Sequence, residues 1–346
     1  MKAKRRLFWL PALLALLLLA LGAVGCGGDD DGGGAATTAA ATTEAPAQEA
    51  IRVGLVTDIG GLNDRGFNSL GNQGVERAAS ELGVETRVLE SKSDADYIPN
   101  LSQLAEEGYD LIISVGFLMG EATEKAAKEF PDSNFAIVDF AYEAPPPNLR
   151  GLVFKEQETG CLVGVVAALT SKSGTISSVG GQKIPPVDRF IAGYQACAVE
   201  AKAGTKTLNA YSQDFVDQAK CKEVALDQIA KGSDVVFQVA GGCGLGALDA
   251  AKEKSVWGIG VDADQAFLGD HILTSALKRV DEAVFQTIEE AVNGEFASGV
   301  GVFGLAEDGV GLGEVSSEVS QEILDATEEF KQRIINGELT LPDTLK

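Results

Sequence analysis

The sequence predicts an α/β protein with two lobes of parallel sheet, and three observations carry that expectation. From Ile51 onward, short runs rich in aliphatic and β-branched residues alternate with amphipathic helical stretches. Continuous apolar strands separated by helices are the signature of a parallel sheet covered on both faces. The alternation breaks at Ala144-Pro145-Pro146-Pro147 and then restarts, which divides the folded part into two halves of similar size. Finally, the length of 346 residues suits two domains better than one.

The elements follow in order. Ile51–Thr57 (IRVGLVT) is a compact apolar strand, Asn68–Leu82 a helix and Val84–Glu90 a second strand. A helix over Tyr97–Glu107 precedes the strand Asp110–Val115, and a helix over Gly120–Phe130 precedes the strand Asn134–Asp139. After the proline run come a strand at Gly151–Lys155, a helix at Glu158–Thr170 and a strand at Gly174–Val179. Helices at Arg189–Ala203, Asp217–Lys231 and Gly246–Lys254 then alternate with strands at Thr207–Tyr211, Asp234–Val239 and Val256–Val261. Ile272–Ser275 reads as a strand, Val280–Asn293 as a long helix, Gly299–Leu312 as Gly-rich strand and turn, and Glu318–Asn336 as a last amphipathic helix. In open α/β sheets ligands bind outside the carboxyl ends of the strands, so the two lobes should share one crevice.

The amino terminus assigns the compartment. Lys2, Lys4, Arg5 and Arg6 precede an apolar run from Leu7 to Val24, the charged start and apolar body of a secretory signal. Ala23-Val24-Gly25 then lead into Cys26, an arrangement that resembles a bacterial lipobox with Ala23 where Leu is usual. Residues 1–25 are thus expected to be removed and Cys26 to carry lipid, with 26–50 as a tether. The alternative is an uncleaved anchor, since the run approaches the ~20 residues a span needs. The soft Gly/Asp tract after Cys26 would have no function in a simple anchor. Ala35–Ala50 is mostly Ala and Thr, too poor in bulky apolar residues to fold alone.

The formal charge is −23, and loss of the basic leader makes the rest more acidic still. Such a surface repels nucleic acid and phosphorylated metabolites, which leaves neutral small molecules. Four cysteines remain after Cys26, and four permit three pairings. Cys197 with Cys221 and Cys161 with Cys243 is the pairing favoured here, four buried thiols being the alternative. No CxxC or Cys/His pairing suggests a metal, and His271, the single histidine, leaves little material for a His-based triad. No cofactor and no catalytic residue is expected.

Asp58 ends the first strand and opens Ile59-Gly60-Gly61-Leu62-Asn63-Asp64-Arg65-Gly66-Phe67-Asn68. Phe67 is a large apolar residue in a polar turn, either a stacking plate for a flat ligand or a staple for its own helix. Asp139 and Asp262 also follow predicted strands, so three carboxylates should point toward the crevice. Ionised carboxylates only accept hydrogen bonds, and a sugar diol or base N–H supplies donors. Lys278 can donate to a sugar oxygen while offsetting this negative charge. Taken singly, each Asp is equally a turn or cap residue.

Val56–Asn68 (VTDIGGLNDRGFN) resembles the start of the basic-membrane-protein (BMP) type of substrate-binding lipoproteins of ABC importers. Further blocks resemble that family: Gly108–Phe117, Phe135–Asp139, Phe154–Gly164, Gly180-Gly181, Phe237–Gly246, Ile259–Gln265 and Leu273–Arg279. Gly66, often Ser there, and Cys243, often Thr, depart from the pattern. The resemblance implies a type I periplasmic-binding-protein fold that carries purine nucleosides, or a related sugar-bearing molecule, to a permease and its ATPase. It puts aromatic plates at Phe67 and Phe237, a base-reading carboxylate at Asp58, and Asn68 beside the sugar. Ribose contacts fall on Asp139, Asp262 and Lys278, and Gly241 lets backbone approach the ligand. Lobe one is expected over 51–154 with a return near 275–293, and lobe two over 155–274, with three crossings between them; the residues from 294 on are not assigned.

Two other readings compete. Gly242-Cys243-Gly244-Leu245-Gly246-Ala247 contains a G-x-G-x-x-A pattern after a strand and before a helix, with Asp262 twenty residues beyond Gly242. That spacing fits a dinucleotide-binding fingerprint and hence a secreted NAD-dependent dehydrogenase. A structural surface lipoprotein without a ligand is the other alternative.

Overall fold

The computed structural model describes residues 50–345. The leader, Cys26 and the tether up to residue 49 lie outside the described residues. Twelve strands and nine helices follow one another: β1 (Arg52–Thr57), α1 (Phe67–Leu82), β2 (Glu85–Glu90), α2 (Tyr97–Glu106), β3 (Leu111–Val115), α3 (Gly120–Glu129), β4 (Asn134–Val138) and β5 (Leu149–Phe154) build most of one layer. The second contains α4 (Glu156–Thr170), β6 (Thr175–Gly180), α5 (Pro185–Ala201), β7 (Lys206–Tyr211), α6 (Gln218–Ala230), β8 (Val235–Val239), α7 (Gly244–Glu253), β9 (Trp257–Asp262) and β10 (Ile272–Lys278). Helix α8 (Val280–Val292), β11 (Gly299–Phe303), β12 (Val310–Leu312) and α9 (Gln321–Ile335) complete the described chain.

The first sheet has the order β11-β5-β4-β3-β1-β2 and the second β12-β10-β9-β8-β6-β7. The first is parallel throughout, and in the second only the short β12 runs antiparallel, against β10. Central strands such as β3 (LIISV) and β8 (VVFQV) are buried at every position. Helices cover both faces, so a strand here needs apolar residues on both sides rather than alternation. Together these are two lobes of mostly parallel sheet with helices alternating between the strands.

Several elements differ from expectation, each for a physical reason. Helix α5 begins at Pro185, four residues before the predicted start. Proline is well placed in the first turn, where its missing N–H is not needed. Strand β10 runs through to Lys278 and pairs with β9, so Ser275–Lys278 belong to the second sheet, not to a return into the first lobe. The chain recrosses at Arg279: α8 packs on α1, and β11 extends the first sheet beside β5. The unassigned C-terminal segment is divided, with β12 on the second sheet and α9 against α4.

The disulfides also correct the expected pairing: Cys161 is bonded to Cys197 and Cys221 to Cys243. Consecutive helices lie side by side in this topology, so cysteines on neighbouring helices meet. Helices α4 and α5 approach closely because Gly160, Gly164 and Gly193 lie at their contact; a Cβ on Gly193 would sit 2.0 Å from the Gln157 carbonyl oxygen. Cys161 and Cys197 face each other across that seam, with Cα atoms 5.0 Å apart.

Candidate functional site

The carboxyl ends of both sheets open onto one crevice, with walls from both lobes. Asp58, Phe67, Asn68, Asp139, Gly241, Asp262 and Lys278 all line it.

Asp58 follows β1 and is buried. One of its carboxylate oxygens accepts from the Gly60 N–H and from Asn68 Nδ2, both at 2.9 Å. Gly116, with φ of 127°, lets the β3 backbone pass beside it, where a Cβ would lie 2.6 Å from Asp58 Oδ2. Burial pushes the Asp58 pKa up to about 6 although the Gly60 and Asn68 bonds favour its charged form. Asn68 Oδ1 is buried with no hydrogen-bond partner among the described residues.

Asp64 was not singled out from the sequence. It accepts from the backbone N–H groups of Gly66, Asn68 and Ser69 at 3.1, 2.6 and 3.1 Å, and so caps the start of α1. An Asp three residues before the first helical residue is a readable signal of such a cap. This cap holds Phe67, the first residue of α1, at the crevice.

Asp139 and Asp262 occupy matching places after β4 and at the end of β9, and both have left-handed backbone, with φ of 74° and 64°. Non-glycine residues rarely take that conformation, though Asp tolerates it better than most. Asp139 is bonded to Lys278 Nζ at 2.5 Å, Lys278 to Glu156 at 2.9 Å, and Glu156 to Arg189 Nε at 2.5 Å. The sequence reading missed Glu156 and Arg189. Burial works against a charged Lys278, but Asp139, Glu156 and Asp262 outweigh it and hold its pKa above the usual value. Its ammonium also lies 5.1 Å from the Phe67 ring centre and 5.7 Å from that of Phe190. Asp262 has no comparable satisfaction. Burial pushes it up to about 7, with Lys278 opposing and Asp139, Asp64 and Glu156 adding, and among the described residues no hydrogen bond to its carboxylate contributes.

Phe237 is not at the crevice. It lies fully buried within β8, its ring against Tyr194 at 5.1 Å and Phe190 at 6.2 Å, behind the wall. Its side of β8 faces α5, so it packs the core instead of a ligand. The aromatic rings that do line the crevice with Phe67 are Phe117, Phe190 and Phe215. Phe215 sits in the polar turn Ser212-Gln213-Asp214-Phe215-Val216-Asp217, the same signal that singled out Phe67. Phe190 is one apolar residue among many on an amphipathic helix and carries no such mark.

The lobes meet at one edge of the crevice, where Gln265 Nε2 donates to the Arg65 carbonyl at 3.3 Å. The glycines of the dinucleotide-like pattern serve internal contacts. A Cβ on Gly244 would fall 1.8 Å from Gln238 Oε1, which accepts from the Ala240 N–H, and one on Gly246 would fall 1.9 Å from the Gln218 carbonyl oxygen. The space under the first turn of α7 is therefore filled by Gln238 and by α6. Among the described residues no helix is long and apolar enough to cross a membrane.

Comparison with known proteins gives a consistent result. Residues 51–345 match the Bmp family profile, described as "ABC transporter substrate-binding protein PnrA-like". The chain is 34% identical to the ABC transporter nucleoside-binding protein BmpA of Lactococcus lactis subsp. cremoris over 323 residues, 87% of this chain and 91% of that protein. It is 36% identical to an uncharacterized lipoprotein of Pyrococcus horikoshii over 278 residues, 76% of this chain and 69% of the other. A crystal structure of ABC transporter solute-binding proteins from Aeropyrum pernix K1 superposes with a TM-score of 0.79 at 30% identity, covering 86% of this chain and 94% of that one. A crevice between two parallel-sheet lobes and a family match over nearly every described residue agree: the chain belongs to the PnrA-like (Bmp) family of ABC transporter substrate-binding proteins.

Proposed function

We propose that the protein is a lipid-anchored, extracytoplasmic receptor that captures a nucleoside, chiefly a purine nucleoside, between its lobes and presents it to an ABC permease and its ATPase. The observation that carries this reading is Asp262, a buried residue whose carboxylate lines the crevice and accepts no hydrogen bond among the described residues. A ribose diol supplies the missing donors, and bonds to an ionised acceptor are the stronger kind. Asp139, already paired with Lys278, stands beside it for the same sugar. Phe67, Phe190 and Phe215 offer flat apolar faces to a base, and Asp58 and Asn68 offer acceptors for its N–H groups.

Charge narrows the choice. Asp58, Asp64, Asp139, Glu156 and Asp262 surround the crevice, against Lys278 and Arg189 as the cations named in its network. That balance disfavours phosphorylated ligands. The relative from Lactococcus lactis is named for nucleoside binding, and the Pyrococcus relative is named a lipoprotein, in keeping with the lipobox-like Cys26. The mechanism is closure without chemistry: a ligand bonded to both lobes stabilises the closed arrangement over the open one.

Calorimetry with inosine, guanosine and adenosine tests this. Asp262→Ala should weaken a ribonucleoside by roughly ten- to a hundredfold, the worth of one or two hydrogen bonds to a charged acceptor. Its 2′-deoxy analogue should lose less. Equal losses on both would assign Asp262 another role, and silence with every nucleoside would remove the reading.

A further inference from the structure

The geometry points to the Cys221–Cys243 disulfide as the clamp that positions the second-lobe wall of the crevice, so that ligand affinity depends on this bond and not on the other disulfide. This rests on the nucleoside reading only through the choice of probe.

Two loops make that wall. One, between β7 and α6, presents Phe215; the other, between β8 and α7, presents Gly241 and Gly242. Backbone joins them through the Cys243 N–H, which donates to the Phe215 carbonyl at 2.9 Å. The disulfide adds a covalent tie at the same place. Cys243 directly follows Gly242, and Cys221 lies in the first turn of α6, six residues after Phe215, with Cα atoms 5.6 Å apart. Both cysteines are fully buried behind the wall.

The wall also sets the gap to the first lobe. A Cβ on Gly242 would lie 3.7 Å from the Asp64 Cα, so a small outward shift of this turn changes the space for a ligand. The Phe215 ring rests on Gly181, where a Cβ would come within 2.3 Å of it, so the ring follows its loop closely. By contrast, Cys161 and Cys197 join α4 to α5 at a seam already held by glycine-mediated packing, where Gly160 meets the backbone of the crevice residue Phe190, and neither cysteine lines the crevice or directly follows a residue that does.

Two double variants decide it: Cys221→Ala with Cys243→Ala, and Cys161→Ala with Cys197→Ala. Both should lower the thermal midpoint of the ligand-free protein. Only the first should raise the guanosine Kd, by about tenfold and mainly through faster dissociation, as expected when a pre-organised wall is loosened. Equal guanosine affinity in wild type and the first variant would overturn the proposal. If wild type binds none of inosine, guanosine and adenosine, the nucleoside reading fails separately, and amide exchange in the ligand-free protein decides instead. Faster exchange of Gly241–Cys243 in the first variant alone supports the clamp, and unchanged exchange overturns it. Should the alanine pair not fold, Cys221→Val with Cys243→Thr refills the space for the same measurements. Failure of both to fold, while the Cys161/Cys197 variant folds, would assign the bond to lobe folding and also overturn the proposal.

Discussion

Phe237 and Phe215 show how single residues divide between structure and site. Phe237 and Phe215 are both phenylalanines of the second lobe, yet one is enclosed by Tyr194 and Phe190 and the other faces the crevice. Phe237→Ala should cost about 3–5 kcal/mol of stability, the usual price of emptying a core site, whereas Phe215→Ala should cost little stability and weaken nucleoside binding. Chemical denaturation and calorimetry separate the two, and the reverse pattern would exchange their roles. The carboxylates add a pH dependence. Folding raises Asp58 to about 6 and Asp262 to about 7 from an ordinary 3.8. Between roughly pH 4 and 7 the folded state therefore holds more protons than the unfolded chain, and ligand-free stability falls as pH rises through that window. Asp262→Asn should flatten this fall, as thermal melts from pH 4.5 to 8 would reveal. Ligand donors favour the ionised carboxylate, so nucleoside affinity should change the opposite way and decline as pH drops from 7.5 to 5. These properties are only partly legible in sequence: the position of Asp262 after an apolar strand is readable, but the absence of a donor beside it depends on which residues fold around it.

At the scale of elements, apolar runs and amphipathic stretches were sufficient to find the strands and helices, because a doubly covered parallel sheet needs continuous hydrophobicity. What they did not contain was facing. Phe237 lies in a strand buried on both sides, so alternation gives no hint that its ring points to α5. The disulfide pairing depends on which helices become neighbours, and β12 is too short to reveal that it returns to the second sheet. The α4–α5 seam illustrates a relation that is visible only in three dimensions. Gly160 and Gly164 are spaced like other small helical residues, yet a Cβ on either, or on Gly193, would come within 2.3 Å of a carbonyl oxygen of the partner helix. Gly193→Ala should therefore destabilise the lobe by about 1–3 kcal/mol despite alanine's better helix propensity. Urea unfolding measures this, and a stabilised variant would show that the seam can open without loss.

For the molecule as a whole, three chain crossings join the lobes, at 154–156, 278–280 and 303–310, and the crevice lies between the strand ends they connect. Lys278 stands at one crossing and Glu156 at another, and Lys278 bonds both Glu156 and Asp139 of the first lobe. The crossings and the crevice therefore share one charged network, and under the proposed function a ligand that engages Asp139 and Asp262 would act on both lobes together. The overall architecture was readable from the repeated alternation and its single break, whereas this sharing was not, since Glu156 and Arg189 look like ordinary helix residues. Under the proposed function, the surplus of carboxylates around the space would select an uncharged guest. Side-by-side calorimetric titration of guanosine and guanosine 5′-monophosphate at pH 7.5 addresses that point most directly. The nucleoside should bind one to one and the monophosphate at least about a hundredfold more weakly, the size of one uncompensated like-charge contact of a few kcal/mol. Equal affinities, or tighter binding of the monophosphate, would contradict an acidic crevice built for a neutral ligand.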